Sequence, residues 1–380
     1  PLVWIGLISY SLYLWHWPIL VLLRAVTWEP HLSPPAQGLA IAATFVLAWL
    51  SWRFVERPFR SAGAGGVGRW AIFAGSAAGI VLFAAVGAVA WRSEGAPLRF
   101  SPEIQAIYAT EHFDNGRYDG CRPAGTDSFY CWLNPDQAIE GEKDVLYWGD
   151  SHATMLMSSV DDAVGALGLK GLSYIKEGCP PALGFNSPGM GGAVGCARRT
   201  ERLLDNLEQR DDMPLVIVAA RWPIYTERDA PFEPETLRSF PLAEGYAYSG
   251  SPAEQMIAGI TAAVDRILAT GRRVVLIGPA PEMAFKATDR VAIQRRFGLE
   301  PGPGPTIETV EARQARTLAA LRRIAEKPGV DLVELTPVIC DAHCPYRRDG
   351  LPMYRDDNHL VPDEARRIFA GHLAEALAGL

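Results

Sequence analysis

Two patterns of apolar and polar positions divide this chain, and they change over near residue 92. In the first, apolar residues continue with few charges over roughly Val3 to Val26, Ala36 to Phe54 and Trp70 to Trp91. Each run is long enough for a helix to cross a hydrocarbon layer about 30 Å thick. Trp and Tyr gather near the ends of the runs, where interfacial aromatics sit. About three transmembrane helices are therefore predicted in residues 1–92. In the second pattern the apolar runs are short. Those at Asp144–Trp148, Leu172–Ile175, Leu215–Ala220, Arg273–Ile277 and Asp331–Leu335 predict buried strands. Stretches at His152–Leu167, Glu254–Ala269, Val310–Glu326 and Pro362–Leu377 predict helices between and after them. Strands that alternate with helices imply a parallel sheet covered on both faces, a three-layer α/β domain over residues 141–380. Residues 93–140 are rich in Gly, Pro, Asp and aromatics without periodicity. They are expected to form an irregular extension packed on the following domain rather than a free tether.

Charge sets the orientation. The segment between the second and third runs carries Arg53, Arg57, Arg60 and Arg69 against Glu56 alone. The segment between the first and second has Arg24 near its start and is otherwise acidic or neutral, with Glu29 and His31. Basic loops stay in the cytoplasm, so the third helix runs outward and everything after Arg92 lies outside it. The formal net charge of -7 argues against a nucleic-acid surface and leaves the lipid bilayer as the expected partner.

All six cysteines fall in the later part, in three sequence-local pairs: Cys121 and Cys131, Cys179 and Cys196, Cys340 and Cys344. An even count in an exported domain favours three disulfides. The competing metal set, Cys340, His343 and Cys344, lacks a second ligand pair of suitable spacing, so no metal is expected.

The chemistry is carried by two segments. Gly149-Asp150-Ser151 stands where the first strand turns into a helix. There the glycine permits a tight turn and a close approach of substrate. Nearby backbone N–H groups could stabilise an oxyanion, and Asp150 could order the turn. Alone, this is an ordinary helix cap. Asp356-Asp357-Asn358-His359 changes the weighing. A loop between the fifth strand and the last helix can deliver His359 to Ser151 as general base, with Asp356 orienting the ring. Asp357 is an alternative orienter, and His152 is given at most a supporting role. In the membrane part His16 is a functional candidate because intramembrane histidines are uncommon. Its bland alternative is a tolerated side chain, with Glu56 and Arg57 as a cytoplasmic ion pair.

Ser-Tyr-Ser-Leu-Tyr-Leu-Trp-His-Trp-Pro, followed by Phe-Val-Glu-Arg-Pro, resembles the last helices of the membrane acyltransferase-3 family over about the first quarter of the chain. Members of that family O-acylate bacterial surface polysaccharides. Its acyl-transfer histidine and arginine lie in earlier helices. The chain begins at Pro1, which suggests a missing N-terminal portion carrying those helices; the alternative is a complete chain whose membrane domain is inactive. Gly-Asp-Ser and Asp-Asp-Asn-His-Leu resemble the first and last motif blocks of the SGNH hydrolase family over about residues 144–380. That resemblance implies Ser151 as nucleophile, Asp356 as orienting acid and His359 as base. It also implies oxyanion donors from the serine amide, a glycine after the second strand and an asparagine after the third. Gly178 is the candidate glycine. The third strand is followed by Ala220-Arg221-Trp222-Pro223 without the expected asparagine. Arg221 is either a cationic substitute or a salt-bridged structural residue. Trp148, Trp222 and Tyr225 are candidates for stacking sugars, or core.

Together the two resemblances imply the C-terminal part of a bacterial membrane acyltransferase-3 protein fused to a periplasmic SGNH-type domain, multi-pass in the inner membrane. The implied function is O-acyl transfer, acetyl for preference, to a cell-surface polysaccharide such as lipopolysaccharide O-antigen. No cofactor is expected to stay bound, and acetyl-CoA is the expected acyl-CoA donor. The alternatives are a carbohydrate esterase that uses the same residues and a non-catalytic carbohydrate-binding module.

Overall fold

The computed structural model describes residues 2–27, 32–57, 68–95, 97–111, 130–134, 142–187, 195–227 and 240–379. They fall into two compact units, residues 1–108 with 292–300, and residues 109–291 with 301–380.

The first unit holds helices α1 (Leu2–Thr27), α2 (Pro34–Ser51) and α3 (Arg69–Arg92). All three are long and apolar enough to cross a membrane. Their apolar side chains face outward on most sides, as with Phe73, Val81, Phe83 and Trp91 of α3. Such an exterior suits lipid rather than water. Two threonine hydroxyls are satisfied within their own helices: Thr44 donates to the Ala40 carbonyl (2.7 Å) and Thr27 to that of Leu23 (2.9 Å). The second helix does not stop at Phe54, where the sequence pattern ends it. A π-helical turn, Trp52–Glu56, carries it on.

Residues 93–140, expected to be irregular, contain regular elements among the described residues, including a 3-10 turn, Pro97–Arg99. Helix α4 (Pro102–Ala109) begins with the favoured pair of a proline and an acidic first turn, and it buries Ile104 and Ile107. Strand β1 (Tyr130–Leu133) pairs antiparallel with β3 (Gly171–Ile175), Cys131 opposite Ser173.

The second unit is built on one sheet. Its strands are β1, β2 (Val145–Gly149), β3, β4 (Leu215–Ala219), β5 (Arg273–Ile277) and β6 (Val330–Val333), in spatial order β1-β3-β2-β4-β5-β6. All pairs are parallel except β1 with β3. The expected parallel sheet thus carries one antiparallel edge. β2 and β3 are buried at every position, as strands covered on both faces must be. Alternate side chains (Leu146 and Trp148, Val216 and Val218, Val274 and Leu276) join one core with helices α6 (Gly195–Glu208), α8 (Pro252–Ala269) and α10 (Ile307–Ala325). On the other face, Tyr147 donates its hydroxyl to the Ala153 carbonyl of α5 (Ser151–Ala166), and α5 packs on α12 (Pro362–Ala378). Shorter pieces complete the unit: α7 (Trp222–Thr226), α11 (Thr336–Ile339) and the hairpin β7 (Arg347–Arg348) with β8 (Leu351–Pro352); α9 (Ala287–Phe297) begins in it, and its residues from Ala292 belong to the first unit.

The order of the five parallel strands places β2 between β3 and β4. The chain leaves β2 to one side and returns on the other, which makes a switch point, and crevices at such points lie outside the carboxyl ends of the strands. Gly149 pairs with Ile175 and with Ala219, so the loops after β2, β3 and β4 leave the sheet at one level. Gly149 is required there for a reason the sequence did not disclose. A Cβ on it would lie 1.8 Å from the Ala219 carbonyl oxygen and 2.6 Å from Ala153 Cβ. The close approach is by β4 and α5, not by substrate.

Two disulfides join Cys179 to Cys196 and Cys340 to Cys344. The second removes the metal alternative for those two cysteines. Cys131 is also disulfide-bonded; its expected partner, Cys121, lies outside the described residues.

Candidate active site

The turn after β2 builds the first half of the site. Asp150 is the N-cap of α5, its Oδ1 accepting from the His152 amide (2.8 Å). Ser151 is the first residue of that helix and is only partly buried. The capping role therefore holds for Asp150, while Ser151 keeps its hydroxyl available at a helix N-terminus. The Asp150 carboxylate does more than cap. It also accepts from the Arg221 amide (3.0 Å) and the Tyr225 hydroxyl (2.5 Å), and so ties the β2 turn to the β4 turn. Burial pushes its carboxyl above the ordinary range, against the lowering pull of these three donors.

The second half comes from the loop before α12. Asp356 Oδ1 accepts from the amides of Asn358 (2.9 Å) and His359 (2.6 Å), and its Oδ2 accepts from His359 Nδ1 (2.8 Å). With Nδ1 donating, His359 Nε2 is left to accept, and Ser151 Oγ lies 2.9 Å from it. Burial opposes the ionised form of Asp356. The hydrogen bond and charge of His359, with the two amides, outweigh it and hold the carboxyl well below the usual carboxylate range. The loop is pinned from outside. Met283 donates its amide to the Asp357 carbonyl (2.6 Å) and Ala287 to that of Asp356 (3.1 Å). The Leu360 amide points to Met155 Sδ of α5 (3.2 Å). Ser151, His359 and Asp356 thus stand in one hydrogen-bonded line, the arrangement that makes a serine nucleophilic.

Residues 119–371 match the family model described as the SGNH domain (fused to AT3 domains). That is more than half of the chain. The chain belongs to this family. Among curated relatives, the peptidoglycan O-acetyltransferase OatA of Listeria monocytogenes serovar 1/2a is 46% identical over 63 residues, 17% of this chain and 10% of its own. The O-acetyltransferase OatA of Staphylococcus aureus is 40% identical over the same length and shares. The chain matches only about a tenth of the length of these relatives. Among solved structures, the periplasmic domain of the Salmonella ser. Paratyphi A lipopolysaccharide acetyltransferase covers 63% of this chain and 85% of its own, at 13% identity and a TM-score of 0.45.

Within this SGNH domain the remaining expected residues divide. Gly178 lies in the turn after β3, closed by the Cys179 amide donating to the Lys176 carbonyl (3.1 Å), with φ at +71°. A side chain there would be strained. Arg221 is salt-bridged, as one of its two expected roles requires. Its Nε donates to Glu282 (2.8 Å), and Arg313 holds the other carboxylate oxygen of Glu282 at 3.0 Å. Glu282 and Arg313 are almost wholly buried, and the Arg221 side chain is 11% exposed. The sugar-stacking expectation for Trp148, Trp222 and Tyr225 is corrected: all three are buried. Trp148 is core, Trp222 donates its Nε1 to the Ile277 carbonyl (2.7 Å), and Tyr225 serves Asp150.

In the first unit, His16 Nδ1 donates to the Tyr13 carbonyl one helical turn back (2.6 Å), and Ser11 donates to Glu56. The Arg57 guanidinium lies 5.9 Å from the Trp52 ring centroid.

Proposed function

We propose that this protein transfers an acyl group, acetyl for preference, to a hydroxyl of a bacterial cell-surface polysaccharide through an ester on Ser151. The observation that carries the proposal is the line Ser151 Oγ to His359 Nε2 to Asp356, at 2.9 and 2.8 Å. The family, and the O-acetyltransferases among its relatives, support transfer of acetyl in particular.

In the first half-reaction Ser151 Oγ attacks the acyl carbonyl while its proton passes to His359 Nε2. The donor's leaving group departs with that proton, and the acyl group remains as the Ser151 ester. In the second half-reaction the acceptor hydroxyl attacks that ester. Its proton goes to His359 and on to the released Ser151 Oγ. Asp356 holds the ring and stabilises the imidazolium formed in each half. The Ser151 and Gly178 amides are the proposed oxyanion donors. The acyl group is proposed to originate on a cytoplasmic thioester, acetyl-CoA, and to cross the bilayer through the membrane part. Basic residues between α2 and α3 support placing the SGNH domain on the periplasmic side. His16, Glu56 and Arg57 are proposed to belong to the membrane step.

The test uses the whole chain in detergent with a chromogenic acetyl ester, with and without a saccharide acceptor. Acetylated saccharide that disappears with Ser151→Ala is the expected result. Acetate release that ignores the saccharide would make the protein an esterase. Equal turnover by wild type and Ser151→Ala would overturn the catalytic reading. Asp356→Asn is expected to lower turnover on the order of 10⁴-fold with the fold retained, because the ring loses its tautomer and orientation.

A further inference from the structure

We propose that His152 is a positioning residue for this reaction: with Asn358 it forms a second tie, parallel to the Ser151–His359 contact, that sets the serine–histidine geometry. This rests on the role proposed above for Ser151 and His359. Two consecutive residues of α5 meet two consecutive residues of the loop. Ser151 meets His359 at 2.9 Å, and His152 Nε2 meets Asn358 Oδ1 at 3.0 Å. His152 and Asn358 are 2% and 5% exposed. Both are buried, so the polar contact between them stands in for water at His152 Nε2 and Asn358 Oδ1.

The chemistry of the neighbours fixes the tautomer. Asn358 Nδ2 donates to Asp357 Oδ1 (2.6 Å), because an ionised carboxylate can only accept. The amide oxygen therefore faces His152, and His152 Nε2 must carry a hydrogen. His152, through Nε2, is thus the donor of this contact. Its ring centroid lies 4.9 Å from that of His359, with the planes at 58°. A cation at that distance would oppose the imidazolium that His359 forms in each half-reaction. Besides Asn358, the groups that act on His152 are His359 and Arg221, which disfavour its protonation, and Asp356, which favours it. Burial exceeds them all and keeps it neutral. The pair thus holds the two backbone segments together without placing a charge beside the base.

The tie predicts a pattern that simple packing does not. Gln places a neutral Nε2 donor at about the reach of the imidazole Nε2, whereas Leu fills space without donating. With the whole chain and the chromogenic acetyl ester, His152→Leu is expected to lower kcat by about 10–100-fold with little change in KM, as a slightly misplaced nucleophile would. His152→Gln should recover most of that loss. Asn358→Leu should match His152→Leu, and the double variant should be no worse than either single one, because both remove the same tie. Labelling of Ser151 by a fluorophosphonate should slow in the same order. If His152→Leu does not fold, Asn358→Ser, which breaks the tie from the loop side, takes its place. A folded His152→Gln as slow as His152→Leu, or losses that multiply in the double variant, would overturn the tie. Full activity in His152→Leu with none in Ser151→Ala would also overturn it, and the proposed function would stand. Activity in Ser151→Ala would bring down both.

Discussion

The turns after β2 and β4 leave neighbouring strands at the same height, since Gly149 pairs with Ala219, yet they are built for opposite ends. After β2 the chain caps a long helix with Asp150 and leaves Ser151 partly open. After β4 it turns inward: Trp222 and Pro223 are buried, and Arg221 is held by Glu282. One carboxylate, Asp150, takes amide protons from both turns and joins them. Position at the carboxyl end of a parallel strand therefore makes a site available, but the side chains decide whether it becomes a reacting group or a brace.

Four substitutions or conditions bear on that contrast. The largest effect is expected from Gly149→Ala, which would drive a Cβ into the Ala219 carbonyl and part the two strands. A loss above about 4 kcal/mol, read as failure to purify a folded chain or a collapsed thermal transition, is expected. An unaffected melting temperature would mean the strands can separate at no cost, and the contrast would lose its footing. Next is Glu282→Gln, which leaves two guanidinium groups buried against a neutral amide. Roughly 3–5 kcal/mol should go, measured by urea unfolding. If stability is kept, the β4 turn is not a brace. Trp222→Phe removes the indole donor to the Ile277 carbonyl and some buried volume, and should cost about 1–3 kcal/mol. A smaller loss would assign that turn's rigidity to Arg221 instead.

The mildest effect is that of acid, and it belongs to the β2 turn. His152 resists protonation in the fold, so below about pH 6.5 the unfolded chain binds a proton that the folded one refuses. Stability therefore falls as pH falls through that range. His152→Gln should melt with a smaller shift between pH 7 and pH 5 than wild type. Asp356 works in the other window. Its carboxyl is depressed in the fold, so its contribution is present above about pH 4 and is lost only below it. Equal shifts in wild type and His152→Gln would show that His152 does titrate in the folded protein.

Much of this was legible because the signals are local. The apolar runs mark the three long helices and the buried strands, and Gly-Asp-Ser with Asp-Asp-Asn-His marks the three residues that the fold aligns. Helix α6 carries an equally plain helical period in Ala197, Thr200, Leu203 and Leu207, although it is not among the helices predicted from the sequence. What stayed hidden depends on partners far along the chain. β1 is four residues whose meaning comes from β3. Glu282 gains its role from Arg221 and Arg313, and His152 from Asn358, 206 positions away. Trp222 and Tyr225 looked available for sugar because aromatics near a site are chemically suggestive. Burial, which decides the matter, is a property of the fold and not of the residue.

The line from Ser151 to His359 closes a span of 208 residues. A ribosome working at about 5–20 residues per second makes the serine some 10–40 s before the histidine it meets. If the proposed function holds, no ester can form on Ser151 until the last loop has been made and has reached α5.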